Sequence, residues 1–78
     1  MSITPTESRA ARAVLDWTLA DLAKASLLGI STIKNFEAER RETTIANLAA
    51  IRSAFEKAGV IFESDSKFVG VKLKKRGK

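Results

Sequence analysis

The sequence predicts a mostly α domain, four helices followed by a C-terminal β-hairpin. Two observations carry this. Apolar residues recur at helical i, i+3, i+4 spacing in separate stretches as far as Gly59, and beyond Gly59 the period becomes two. Seventy-eight residues, 45% of them hydrophobic, with one proline and four glycines, suit one folded unit and leave no room for a second. Residues 1–78 are therefore read as a single domain.

The first helix is expected to start near Thr4 or Thr6, with Pro5 in its first turn and Glu7 near the positive end of the helix dipole. Ala10, Ala13, Val14 and Trp17 supply its apolar stripe. Thr18 then caps a second, two-turn helix, its hydroxyl placed to accept from the amide of Asp21, with Leu22 and Ala23 facing inward. Residues 26–29 break the period and form a tight turn. Gly29 opens a third helix whose inner side is Ile33 and Phe36 and whose outer side is Ser31, Thr32, Lys34 and Asn35. The segment EAERRETT has no apolar residue except Ala38 and reads as a solvated loop. Thr44 caps a fourth helix over about 44–58, with Leu48, Ile51, Phe55 and Ala58 inward and Gly59 as its stop.

The hairpin spans about 60–74. With Asp65 and Ser66 at its tip, Phe62 opposes Val69 and Val60 opposes Val71, which gathers Val60, Phe62, Val69, Val71 and Leu73 on one apolar face. A two-stranded hairpin is marginal alone, so this face must cover the helices or meet a partner, and it is the candidate homodimer surface.

The formal charge of +5 is lopsided. Nine basic and nine acidic groups balance over residues 1–71, and the excess lies in the tail 72–78 as Lys72, Lys74, Lys75, Arg76 and Lys78. No histidine and no cysteine are present, which removes the commonest metal ligand, the usual general base at neutral pH, thiolate metal sites and disulfides. No carboxylates pair as a buried acid and base, and no glycine-rich phosphate cradle occurs. The chain is expected to be no enzyme and to need no cofactor or metal. No run reaches membrane-spanning length and the N-terminus carries no signal-peptide core, so the expectation is a cytoplasmic protein without membrane contact.

Two short helices joined by a tight turn behind a supporting helix form a helix-turn-helix, over about 18–38, the arrangement that lays its second helix in the major groove of DNA. Residues 17–37, WTLADLAKASLLGISTIKNFE, resemble without a gap the helix-turn-helix of Cro- and phage-repressor-type regulators, the XRE family, matching at Trp17, Thr18, Leu22, Ala23, Ser31, Thr32, Ile33, Phe36 and Glu37. The likeness extends to Arg12, to NLAAIRSAFEKAGVIF and to the ending GVKLKK. It implies a four-helix, lambda-repressor-like fold and a bacterial or phage transcription regulator, a repressor associated with the nucleoid. Carried over by position, the resemblance implies base contacts from Ile30, Ser31, Lys34 and Asn35. It also implies phosphate contacts from Thr18, Thr32, Arg40 and Arg41, and a structural ion pair between Arg12 and Glu37. Asparagine suits an adenine edge, lysine the acceptors of guanine and isoleucine the thymine methyl. One such helix touches few base pairs, so double-stranded DNA would be read by a homodimer on half-sites about 34 Å apart.

Three residues depart from the family pattern: Leu19 replaces a phosphate-binding glutamine, Leu27 a turn glycine that accepts positive φ, and Glu39 a glycine near a phosphate path. The other function class open to the sequence is a protein-interaction module, an antitoxin or a regulator, whose hairpin edge binds a partner protein by strand addition.

Overall fold

The computed structural model describes residues 2–40 and 42–75. Arg41 and the final three residues of the basic tail, 76–78, lie outside the described residues. Four helices, α1 (Pro5–Leu15), α2 (Leu19–Ser26), α3 (Ile30–Glu37) and α4 (Ile45–Lys57), are followed by strands β1 (Val60–Phe62) and β2 (Val71–Leu73), which pair antiparallel.

Three of the four helices begin where a threonine side chain satisfies a free amide. The Thr4 hydroxyl accepts from the Glu7 amide and the Glu7 carboxylate accepts from the Thr4 amide, a reciprocal box with Pro5 in the first turn. Thr18 and Asp21 repeat the device at α2, at 3.0 and 2.9 Å. Thr44 accepts from the Asn47 amide at 3.1 Å to open α4. Gly29 precedes α3 with no side-chain cap. Gly59, at φ 100°, ends the helical part in a conformation that disfavours side chains.

Packing around Phe55 organises the core. Phe55, Leu22, Ile33 and Ile51 are fully buried, joined by Ala11, Phe36, Ala54, Val60 and Ile3. The Phe55 ring stacks on Trp17 at 5.7 Å and meets Phe62 edge-on at 6.2 Å, so α1's exit, α4 and β1 share one aromatic cluster.

The face of α1 differs from expectation. Ala13 and Val14 are exposed, and Trp17 lies beyond the helix, which ends at Leu15 with Asp16 at φ 58°. The inward side is instead Glu7, Ser8 and Ala11, with Leu15 packed against the core. Two of these are polar, so a count of apolar residues rotates the stripe onto the wrong side. Burial opposes the ionisation of Glu7, yet the Ser64 hydroxyl, the Thr4 backbone and side chain and the charge of Arg52 hold its pKa below the usual carboxylate value.

The hairpin register also differs. Val60 opposes Leu73 and Phe62 opposes Val71, two residues along from the expected pairing. The Asp65 carboxylate accepts from the amides of Lys67 and Phe68, and this turn moves the tip to Ser66 and Lys67. These bonds also lower the Asp65 pKa. A Cβ at Gly70 would stand 2.8 Å from the Glu63 carbonyl oxygen, which accounts for glycine there. A shift of two keeps each side chain on its face. The apolar face is used internally: Val60 is buried, and Phe62 and Val71 pack on the helices. Of the five residues expected as a dimer surface, these three are largely committed to the chain's own core, while Val69 and Leu73 remain 53% and 42% exposed.

Leu27 ends α2 at φ 62°, in the left-handed conformation that glycine tolerates, with 90% of its surface exposed. Glycine holds that conformation without the roughly 1 to 2 kcal/mol that it costs a side-chain-bearing residue, a gain partly offset by the greater freedom of glycine in the unfolded chain. Leu27→Gly is expected to leave stability unchanged or raise it by up to about 1 kcal/mol in urea unfolding; a loss above 1 kcal/mol would show that the leucine packs on something.

Candidate nucleic-acid interface

Helix α3 is fixed from behind. Ile33 and Phe36 sink into the core, Ile33 completely, and Glu37 at the last turn is 6% exposed. Its carboxylate accepts from Arg12 twice, Nη2 at 2.7 Å and Nε at 2.9 Å, and from the Ser8 hydroxyl. Arg12 Nη1 also donates to the Trp17 carbonyl at 3.2 Å, and Arg9 donates to the Glu37 carbonyl. One carboxylate thereby ties α3 to α1 and to the α1–α2 connection. Hydrogen bonding to Glu37 raises the Arg12 pKa further, so the guanidinium stays charged. The expected pair of Arg12 and Glu37 is present; sequence reasoning missed Ser8 and Arg9. The missed signal for Ser8 was its place four residues before Arg12, on the same side of a helix.

The opposite side of α3 is open. Ile30 is 46% exposed, Ser31 and Lys34 are exposed, and Asn35 is half-buried. Their spacing of i, i+1, i+4 and i+5 puts all four on one flank, about 7.5 Å long at 1.5 Å per residue. The approach to α4 reaches this flank only at Asn35, which lines a cleft with Thr43, Thr44 and Asn47.

The expected phosphate ligands divide. Thr18 is exposed, although its hydroxyl already serves as the α2 cap. Thr32 is half-buried and shares a polar cleft of about 170 Å³ with Asn35, Glu42, Thr43, Thr44 and Asn47, between α3 and the start of α4. Thr43 and Asn47 were not foreseen there, because a Thr-Thr pair before a helix reads as capping alone. Arg40 is exposed, just after α3, its amide donating to the Asn35 carbonyl at 3.0 Å. Arg41 lies outside the described residues.

The departures from the family pattern have structural counterparts. Leu19 packs against the core and, with Lys34, Glu37, Ala38 and Arg40, lines a groove beside α3. Leu27 and Glu39 take φ 62° and 58° at the two ends of α3, so its entry and exit turns both keep a left-handed residue without glycine.

Among the described residues no helix is long and apolar enough to cross a membrane. No protein-family model matches the chain, and no curated protein matches its sequence.

Proposed function

We propose that the chain is a sequence-specific DNA-binding regulator of the XRE type, a repressor that reads the major groove with α3. The supporting observation is the open flank of Ile30, Ser31, Lys34 and Asn35 on a helix whose other side is locked by Ile33, Phe36 and Glu37. Pre-organised backing of this kind lets a polar flank discriminate bases without first paying to order itself. The working form is a homodimer on two half-sites, with Val69 and Leu73 as the hairpin residues still available for contact, and the protein is associated with the nucleoid.

Asn35→Ala tests the reading. It removes a bidentate partner for adenine, so the preference for a selected duplex over a random one should fall by about 1 to 3 kcal/mol, roughly 5- to 150-fold, at constant salt. Random-duplex affinity should hardly change. An unaltered preference would remove Asn35 from the reading surface.

A second reading is favoured by Phe68, 71% exposed at the hairpin tip beside Val69. Exposed aromatic anchors are common in protein interfaces, and this one suits docking of a partner protein, as in an antitoxin. The two activities are compatible, because the hairpin tip and α3 are different surfaces.

A further inference from the structure

We infer that the electrostatic grip on duplex DNA comes from Lys72, Lys74 and Lys75 at the outgoing end of the hairpin, while the helix-turn-helix contributes base readout with little charge of its own. This rests on the DNA-binding reading above. Across residues 18–42, Lys24, Lys34, Arg40 and Arg41 meet Asp21, Glu37, Glu39 and Glu42. Glu37 is spent on Arg12 at 2.7 Å, which leaves the segment a surplus of one positive charge. Proteins that hold DNA firmly at physiological salt neutralise several phosphates, about six to ten in the stronger cases. A near-neutral reading head falls well short of that.

The cations that could make up the difference are not confined to a loose tail. Lys72 sits within β2 opposite Ile61, and the Lys74 amide donates to the Gly59 carbonyl at 2.7 Å, so strand-like pairing continues through Lys74. Residues two apart on a strand share a face, which sets Lys72 and Lys74 side by side, about 7 Å apart along β2 and opposite the core-facing Val71. Lys72, Lys74 and Lys75 are all exposed. Lys72 Nζ approaches Glu63 at 3.1 Å with both side chains more than half exposed, a pairing weak enough to be exchanged for a phosphate. A strand-mounted pair of ammonium groups is better ordered than a free tail and loses less freedom on meeting a polyanion.

The test is a salt titration of binding to a selected and a random duplex, using the full chain, the K72Q/K74Q/K75Q variant and K72R/K74R/K75R. The glutamine variant should bind both duplexes more weakly by the same factor, roughly tenfold or more at 0.15 M salt. Its slope of log affinity against log salt should be shallower by about 2 to 3, for three phosphates at about 0.9 each. The ratio between duplexes should stay as it was, and the arginine variant should keep the slope. Thermal melts of both variants check that the fold persists. An unchanged slope in the glutamine variant would overturn the inference, as would a loss confined to the selected duplex. If the wild-type chain binds both duplexes equally, and the glutamine variant loses that binding with its slope, the lysines stand and the reading role of α3 falls. Failure of the wild-type chain to bind any duplex overturns both.

Discussion

Phe55→Ala is expected to cost about 3 to 5 kcal/mol, the largest effect of any single truncation in this domain. Phe55 has no exposed surface and is the bulkiest of the fully buried side chains. Its ring is the shared neighbour of Trp17 and Phe62, so removing it leaves a void between the exit of α1, the body of α4 and the hairpin. A chain of this length has roughly 4 to 12 kcal/mol of stability in total. The variant should therefore melt at least about 12 °C lower. Phe68→Ala is the matched control: the same truncation at a site 71% exposed should move stability by less than about 0.5 kcal/mol. Equal losses at the two positions would contradict the core described here.

Glu37→Ala should cost about 3 kcal/mol and do so by a different route. It strands the Arg12 guanidinium, whose side chain is only 20% exposed, and leaves the Ser8 hydroxyl with no acceptor on α3. Replacing Arg12 and Glu37 together by methionine should recover much of the loss, because no buried charge is then left without a partner. A double-mutant cycle in urea should return a coupling of at least about 1.5 kcal/mol. Coupling near zero would mean that the pair adds nothing beyond the packing of each residue. Since the same carboxylate anchors the end of α3, the single variant should also weaken duplex selection before it unfolds the domain.

Helix starts were legible in this sequence because their determinants are local, whereas the end of α1 at Leu15, short of Trp17, was not. Thr4, Thr18 and Thr44 each stand where a free amide lies three residues ahead, and Gly59 stands where only glycine is comfortable. Faces were legible where apolar residues alone define them, as with Ile33 and Phe36 on α3 or Ile51 and Phe55 on α4. The inner side of α1 was not, because Glu7 is buried as part of its own capping box with Thr4, and Ser8 is buried by donating to Glu37, twenty-nine residues away. The hairpin register was not either: Asp65 caps its own turn through side-chain acceptance, a choice that alternation cannot reveal. Alternation did give the correct face, since a slip of two preserves it. The open flank of α3 follows from residue spacing, whereas the polar cleft shared by Thr32, Asn35 and Asn47 depends on how α4 approaches α3 and has no local signature.

The most direct measurement of the central claim is selection from a random duplex pool with the purified full chain at 0.15 M salt. Reading by α3 predicts a recurring motif, arranged as two inverted half-sites whose centres lie about 10 base pairs apart. A pool that remains random after repeated rounds, while the protein still retains DNA, would contradict base reading by Ile30, Ser31, Lys34 and Asn35.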